Sequence, residues 1–329
     1  MKKTAGIVTL VLAVSILSCK QQEKEADTYT IGISKIVAHP ALDAVEQGIQ
    51  DALAGEGIDA TFDLQNANGD LNTASSIAKK FKAQNVDIAV GIATPTAQAL
   101  VNTLKSTPVI YSAVTDPVKA GLVSSFDRGE ENVTGVSDMT PVKDQLEFLM
   151  KVKKVGKLGH IYSSHEDNAV ALAQIARKAC AELGIEMIES TVTNSSEVKQ
   201  AAQTIAPRVD AIYVSTDNTV VSALPAVVDV ADQHNIPVMS ADPSSAENIG
   251  VLAAWGFNYY KMGRATGRMV AEVLRGKPTS QIPTLFMTDA KDIDLLINLD
   301  KASELGLVFD TETIESAGTI VRDEEVSRK

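Results

Sequence analysis

Residues 86–117 read Val86-Asp87-Ile88-Ala89-Val90-Gly91-Ile92-Ala93-Thr94-Pro95-Thr96-Ala97-Gln98-Ala99-Leu100-Val101-Asn102-Thr103-Leu104-Lys105-Ser106-Thr107-Pro108-Val109-Ile110-Tyr111-Ser112-Ala113-Val114-Thr115-Asp116-Pro117. An apolar run at 88–91 ends at Thr-Pro. A helical stretch at 96–104 follows, and a second apolar run at 109–113 ends at Thr-Asp-Pro. Neither run alternates strictly, as expected of strands covered on both faces. Strand, helix and strand joined this tightly make a βαβ unit, the building block of α/β folds.

The same pattern extends in both directions. Strands are expected at 29–34, 61–65, 88–91, 109–113 and 133–136, then at 157–162, 186–192, 211–214, 238–240 and 251–254. Helices are expected at 41–54, 73–83, 96–104, 142–151, 168–183, 197–205 and 219–234. The order runs twice, over 28–138 and again over 139–255, which predicts two lobes of like topology. A further helix at 259–275 stops at Gly276 with Pro278 beyond. A strand at 294–297 completes the fold, and the charged tail, 318–329, is expected to fray.

The first residues set the compartment. Lys2 and Lys3 precede an apolar stretch, 5–17, that is too short for a membrane span of about 20 residues and has the layout of a secretory signal. Ile16-Leu17-Ser18-Cys19 resembles a bacterial lipobox, which implies a signal peptide at 1–18, a lipid on Cys19 and a polar tether at 19–27. Cys180 is then alone, so a disulfide framework is excluded, and it reads as a small buried hydrophobe.

With 30 basic and 42 acidic residues the net charge is −12. No basic stripe offsets it, which disfavours a nucleic-acid partner. The motifs G-x-S-x-G, H-E-x-x-H, C-x-x-C and the Walker loop are absent. His39, His160, His165 and His234 are scattered. His160 and His165, which flank a strand end, read as surface or loop positions rather than metal ligands. No metal, cofactor or catalysis is expected.

In open parallel sheets, ligands bind beyond the carboxyl ends of the strands. Those ends carry Ser34, His39, Asn66, Thr94, Thr96, Asp116, Asp217, Asn218 and Asp242. Thr94 and Asp116 precede prolines, which suits helix caps. Hydroxyls and helix starts suit a carboxylate. Asp116, Asp217 and Asp242 suit an ammonium, although Asp217 also reads as a cap. The set fits an α-amino acid zwitterion. Trp255, with Tyr259 and Tyr260, either walls a flat side chain or packs between the lobes.

Several stretches resemble the family of ABC-importer substrate-binding lipoproteins that includes binders of tryptophan, tyrosine and phenylalanine. They are His39-Pro40-Ala41-Leu42-Asp43, Gln65-Asn66-Ala67, Ala93 to Leu100, Ala113 to Pro117 with Ala120 to Val123, Asn132 to Met139, Asp210 to Tyr213 leading into Thr216 to Thr219, and Gly256 to Gly263. The resemblance implies a type I periplasmic-binding-protein fold, with two doubly wound parallel-sheet lobes joined by a three-segment hinge. Residues from about 256 to 283 would return to the first lobe, and those from about 284 to 317 to the second. It also implies no catalysis. From its N-terminus the chain is expected to be exported, held at the membrane by its lipid and facing the periplasm or exterior, and a monomer is expected. A free amino acid, by the resemblance an aromatic one (Trp, Tyr or Phe), would bridge the lobes and be passed to an ABC permease and its ATPase. A sugar or nucleoside binder is the alternative, disfavoured by an aromatic content of only 4%. A periplasmic hydrolase lacks a nucleophile with an adjacent base, and a ligand-sensing subunit remains a rival that sequence does not separate.

Overall fold

The computed structural model describes residues 28–329. The signal segment, Cys19 and the tether lie outside the described residues.

The first lobe begins with β1 (Tyr29–Lys35), α1 (Pro40–Gly55), β2 (Ala60–Asn66), α2 (Leu71–Gln84), β3 (Ile88–Ile92), α3 (Thr94–Thr103), β4 (Val109–Ser112) and β5 (Val133–Ser137). The second contains α4 (Val142–Val152), β6 (Lys157–Ser163), α5 (Asp167–Leu183), β7 (Glu186–Val192), α6 (Val198–Ile205), β8 (Ala211–Val214), α7 (Asn218–Val221), α8 (Leu224–Gln233), β9 (Val238–Ser240), α9 (Pro243–Ala246) and β10 (Ala253–Phe257). Then come α10 (Tyr259–Leu274), β11 (Leu285–Phe286), β12 (Ile293–Asn298), α11 (Leu299–Glu304), α12 (Thr311–Ser316), β13 (Thr319–Arg322) and β14 (Glu325–Arg328).

Two sheets result. The first runs β11-β5-β4-β3-β1-β2 and is parallel throughout. The second runs β14-β13-β12-β10-β9-β8-β6-β7, parallel from β7 to β10, with β12 antiparallel to β10. Every residue of β3, β4, β5 and β8 is buried, which explains their unbroken apolar runs. Helices cover both faces. Leu42, Val45, Ile49 and Leu53 form the inward stripe of α1.

The chain changes lobe three times. It leaves the first sheet after β5, returns through α10, and leaves again between β11 and β12. Helix α10 packs on α1 at a close approach that only glycine allows, since a Cβ on Gly48 would stand 2.3 Å from the Tyr260 carbonyl oxygen. The boundaries differ from those expected. Strand β10 stays in the second sheet through Phe257, and β11, which the sequence pattern does not signal in two residues, extends the first sheet to Phe286.

Other differences have local causes. The helix expected at 219–234 is two, because Pro225 stands in the first turn of α8 and cannot donate to a preceding turn. The tail does not fray. Strands β13 and β14 form a hairpin paired to β12, with Ile320 against the second-lobe core and the turn amides of Asp323 and Glu324 donating to the Asp300 carboxylate. His160 is not on the surface. It is fully buried in β6, with Nδ1 2.9 Å from the Tyr213 carbonyl oxygen. Cys180 is buried in the second-lobe core.

Candidate functional site

Residues beyond the carboxyl ends of β4, β5, β8 and β9 converge between the lobes on one small cavity. From the first lobe come His39 just before α1, Leu42 of α1, Ala113 after β4, and Tyr259 of α10. Asp138 stands where the chain first crosses. From the second lobe come Asn168, Thr216, Asp217, Asn218, Val221 and Asp242. The remaining space is about 10 Å³, near the minimum that holds one water. The lobes are therefore closed.

Direct contacts hold them together. His39 Nδ1 lies 3.2 Å from Ser245 Oγ, and Gln98 Nε2 donates to Asp167 Oδ2 at 2.7 Å. Each pair joins an element of the first lobe to one of the second.

The lining is acidic. Three carboxylates face the cavity, and no lysine or arginine lines it. Asp138 accepts from Thr115 Oγ1 at 3.0 Å and from Tyr259 OH at 3.2 Å. Burial pushes it up to about 6, against the pull of those two bonds. Asp217 accepts from the backbone amides of Ser163 and Val220. Burial, with Glu166 nearby, raises it to about 8. Burial also raises Asp242, opposed chiefly by His39. The His39 ring is lowered by its own burial, against the attraction of Asp242. Burying carboxylates without a partner cation is costly. The lining is suited to a ligand that brings positive charge.

Unpaired polar atoms occur in this lining and at other strand ends. Ser34 Oγ, His39 Nε2, Thr94 Oγ1, Asn168 Oδ1, Ser215 Oγ and Thr216 Oγ1 are buried without a hydrogen-bond partner among the described residues. Native interiors leave few such atoms unmatched. Two alanines at strand ends add backbone strain, Ala93 with φ 76° and Ala113 with φ 54°. Strain of this kind concentrates at functional sites.

Of the residues singled out from sequence, His39, Asp217, Asn218 and Asp242 line the cavity. Tyr259, read as a wall beside Trp255, lines it too. Ser34 and Thr94 lie buried at the carboxyl edge of the first sheet, outside the lining, with unpartnered hydroxyls. Thr94 is the first residue of α3 and does not cap it, because Ala93 takes the preceding position. Thr96, in the first turn of α3, donates its hydroxyl back to the carbonyl of Ile92, the last residue of β3, at 2.6 Å. Asn66 turns to the amide of Asn68. Asp116 accepts from the amide of Lys119 and starts a turn, not a helix. Trp255 is away from the cavity. It packs against Phe148 at 6.0 Å between ring centroids, on the α4 side of β10.

Asp138, Asn168 and Thr216 are not among the site residues expected from sequence, although Thr216 stands at a strand end beside Asp217. The strand-end rule that found Asp217 applies equally to Asp138 and Thr216. Leu42, Ala113 and Val221 carry no polar signal. Among the described residues no group of three or more His, Cys, Asp or Glu is placed to hold a metal. No helix among them is long and apolar enough to cross a membrane.

Comparison with known proteins gives a consistent answer. A protein from Clostridioides difficile (strain R20291) named tyrosine-binding protein is 36% identical over 318 residues, covering 92% of this chain and 91% of that protein. A Streptococcus pneumonia ABC domain solved in complex with L-Trp is 32% identical, with a TM-score of 0.85 over 89% of this chain and all of that one. The ligand-free, open structure of a Clostridium difficile substrate binding protein with adhesive properties is 35% identical over 90% of this chain and 99% of that one, but superimposes with a TM-score of only 0.67. The better match to the L-Trp complex agrees with the closed lobes. Residues 30–321 match the family described as ABC transporter substrate binding protein, and the chain belongs to that family.

Proposed function

We propose that the protein is an exported lipoprotein, anchored through Cys19, that captures a free aromatic amino acid between its lobes and delivers it to an ABC permease. The observation that carries this reading is the closed inter-lobe cavity, where three carboxylates face one another without a lining cation. A ligand ammonium supplies the missing charge to Asp138, Asp217 and Asp242. The unpartnered hydroxyl of Thr216, in the lining, is available to its carboxylate. Leu42, Ala113, Val221 and Tyr259 offer an apolar wall for the side chain. The names of the Clostridioides difficile and Streptococcus pneumonia relatives, which cite tyrosine and L-Trp, favour an aromatic one.

Ligand enters with the lobes apart, because the closed cavity is too small to admit it. Contacts to both lobes then favour closure by hinge motion at the three crossings. Calorimetry with tryptophan, tyrosine, phenylalanine and the remaining common amino acids tests the ligand class. A signal confined to a non-aromatic solute overturns it. Cys19→Ser should move the protein from the membrane fraction to the soluble one.

A further inference from the structure

The outer face of α10 carries a feature that ligand capture does not use. Lys261, Arg264 and Arg268 follow one stripe of the helix at steps of three and four residues. They line a groove of about 460 Å³, whose opposite wall is Leu285, Phe286 and Met287. Arg264 and Arg268 have no ion pair or side-chain hydrogen bond among the described residues, and Lys261 donates to the carbonyl of Lys291. The stripe is locally opposite in sign to the chain as a whole, whose net charge is −12. The groove also contains Asp289 and Asp292, but Asp289 is paired with Lys291 at 3.0 Å.

The apolar wall is partly exposed, although Met287 is buried. Leu285 is 39% accessible, and Phe126, at 38%, meets Phe286 edge to face with centroids 5.4 Å apart. Both residues of the wall strand belong to β11, the outermost strand of the first sheet. Exposed apolar side chains, unpaired cations and a sheet edge thus meet on one face. Edges of this kind accept an added extended segment.

We propose that this groove docks an acidic protein segment in extended conformation, with carboxylates at alternate positions and apolar residues between them. The spacing fits. Arg264 and Arg268 are offset by about 6 Å along the helix axis, and alternate residues of an extended chain by about 6.8 Å. Carboxylates at every second position face the two arginines, while the intervening side chains turn to Leu285 and Phe286. The groove is concave, about 460 Å³ between a helix and a strand, so it fits a discrete segment better than a flat bilayer surface.

The test uses the mature protein and a fluorescent, N-acetylated octapeptide of alternating glutamate and valine, read by anisotropy. Binding is expected at low salt and should weaken about ten-fold towards physiological ionic strength. The pair Arg264→Gln with Arg268→Gln should weaken it by about ten-fold or more, and Leu285→Ser by several-fold, with amino-acid calorimetry unchanged. Arg268 is exposed, so Arg268→Gln alone tests the charge contribution without endangering the fold. Absence of peptide binding, or binding indifferent to Arg268→Gln, overturns the proposal. So does arginine-dependent binding to vesicles of phosphatidylcholine with phosphatidylglycerol in the absence of peptide binding.

Discussion

His39 and Ser245 touch across the cleft, Nδ1 to Oγ at 3.2 Å, although 206 residues separate them in the chain. The ring stands at the start of α1 in the first lobe, and the hydroxyl on α9 in the second. This contact exists only with the lobes closed. Ser245→Ala removes it but keeps the backbone amide that caps onto Asp242. One such bond contributes about 0.5–1.5 kcal/mol. Ligand affinity should therefore fall about two- to ten-fold by calorimetry, with thermal stability of the ligand-free protein little changed. Unaltered affinity would mean the contact does not contribute to closure.

The fate of Trp255 separates two readings of the site. It packs against Phe148 outside the cavity, so Trp255→Phe should leave the dissociation constant within about two-fold, far less than a kcal/mol. Asp242→Asn, in contrast, removes a lining charge and should weaken binding by about thirty-fold or more, as loss of a buried charge partner does. A large loss in the Trp255 variant with none in the Asp242 variant would place the ligand elsewhere.

Stability should depend on pH through the same carboxylates. Burial holds Asp138 up at about 6 and Asp217 at about 8, whereas the unfolded chain releases these protons near pH 4. Between those values the folded state binds more protons, so stability falls as pH rises. The contribution is complete below about pH 4. It is lost as pH climbs through about 6 for Asp138 and about 8 for Asp217. His39 and His160, lowered by burial, act oppositely. They favour the fold above about pH 6.5 and lose that contribution on acidification. Asp138→Asn isolates the first arm. Relative to wild type, its stability should rise between about pH 4 and 6 by up to roughly 3 kcal/mol, read by denaturant titration. A flat difference over that interval contradicts the assignment.

The α1–α10 contact should be intolerant of a single methyl group. Gly48→Ala places a Cβ 2.3 Å from the Tyr260 carbonyl oxygen and 2.9 Å from the Arg264 amide. Both are backbone atoms that cannot rotate aside. Overpacking of this kind costs about 1–3 kcal/mol, and denaturant unfolding should show it. Gly57→Ala is not an equivalent control, since Gly57 has φ 69°. Gly55→Ala is the better one, because nothing closer than 4.0 Å would meet its Cβ.

The amino-acid order alone determined the alternation of strands and helices, the doubled series and the two lobes. These are local properties. Buried parallel strands such as Ile88–Ile92 must be apolar throughout, and amphipathic helices such as Pro40–Gly55 must repeat every three to four residues. The strand-end rule likewise found His39, Asp217, Asn218 and Asp242. Tertiary structure decided which strand-end residues share one cavity. Thr96 and Asp217 look alike as polar residues beside a helix start, yet the Thr96 hydroxyl is consumed by the backbone of the β3–α3 turn, while Asp217 faces the lobe junction. Trp255 faces the α4 side because neighbouring side chains of a strand point to opposite faces. Whether a side chain reaches across the cleft depends on how two separately folded sheets meet, and that relation is set by contacts between residues as distant as His39 and Ser245.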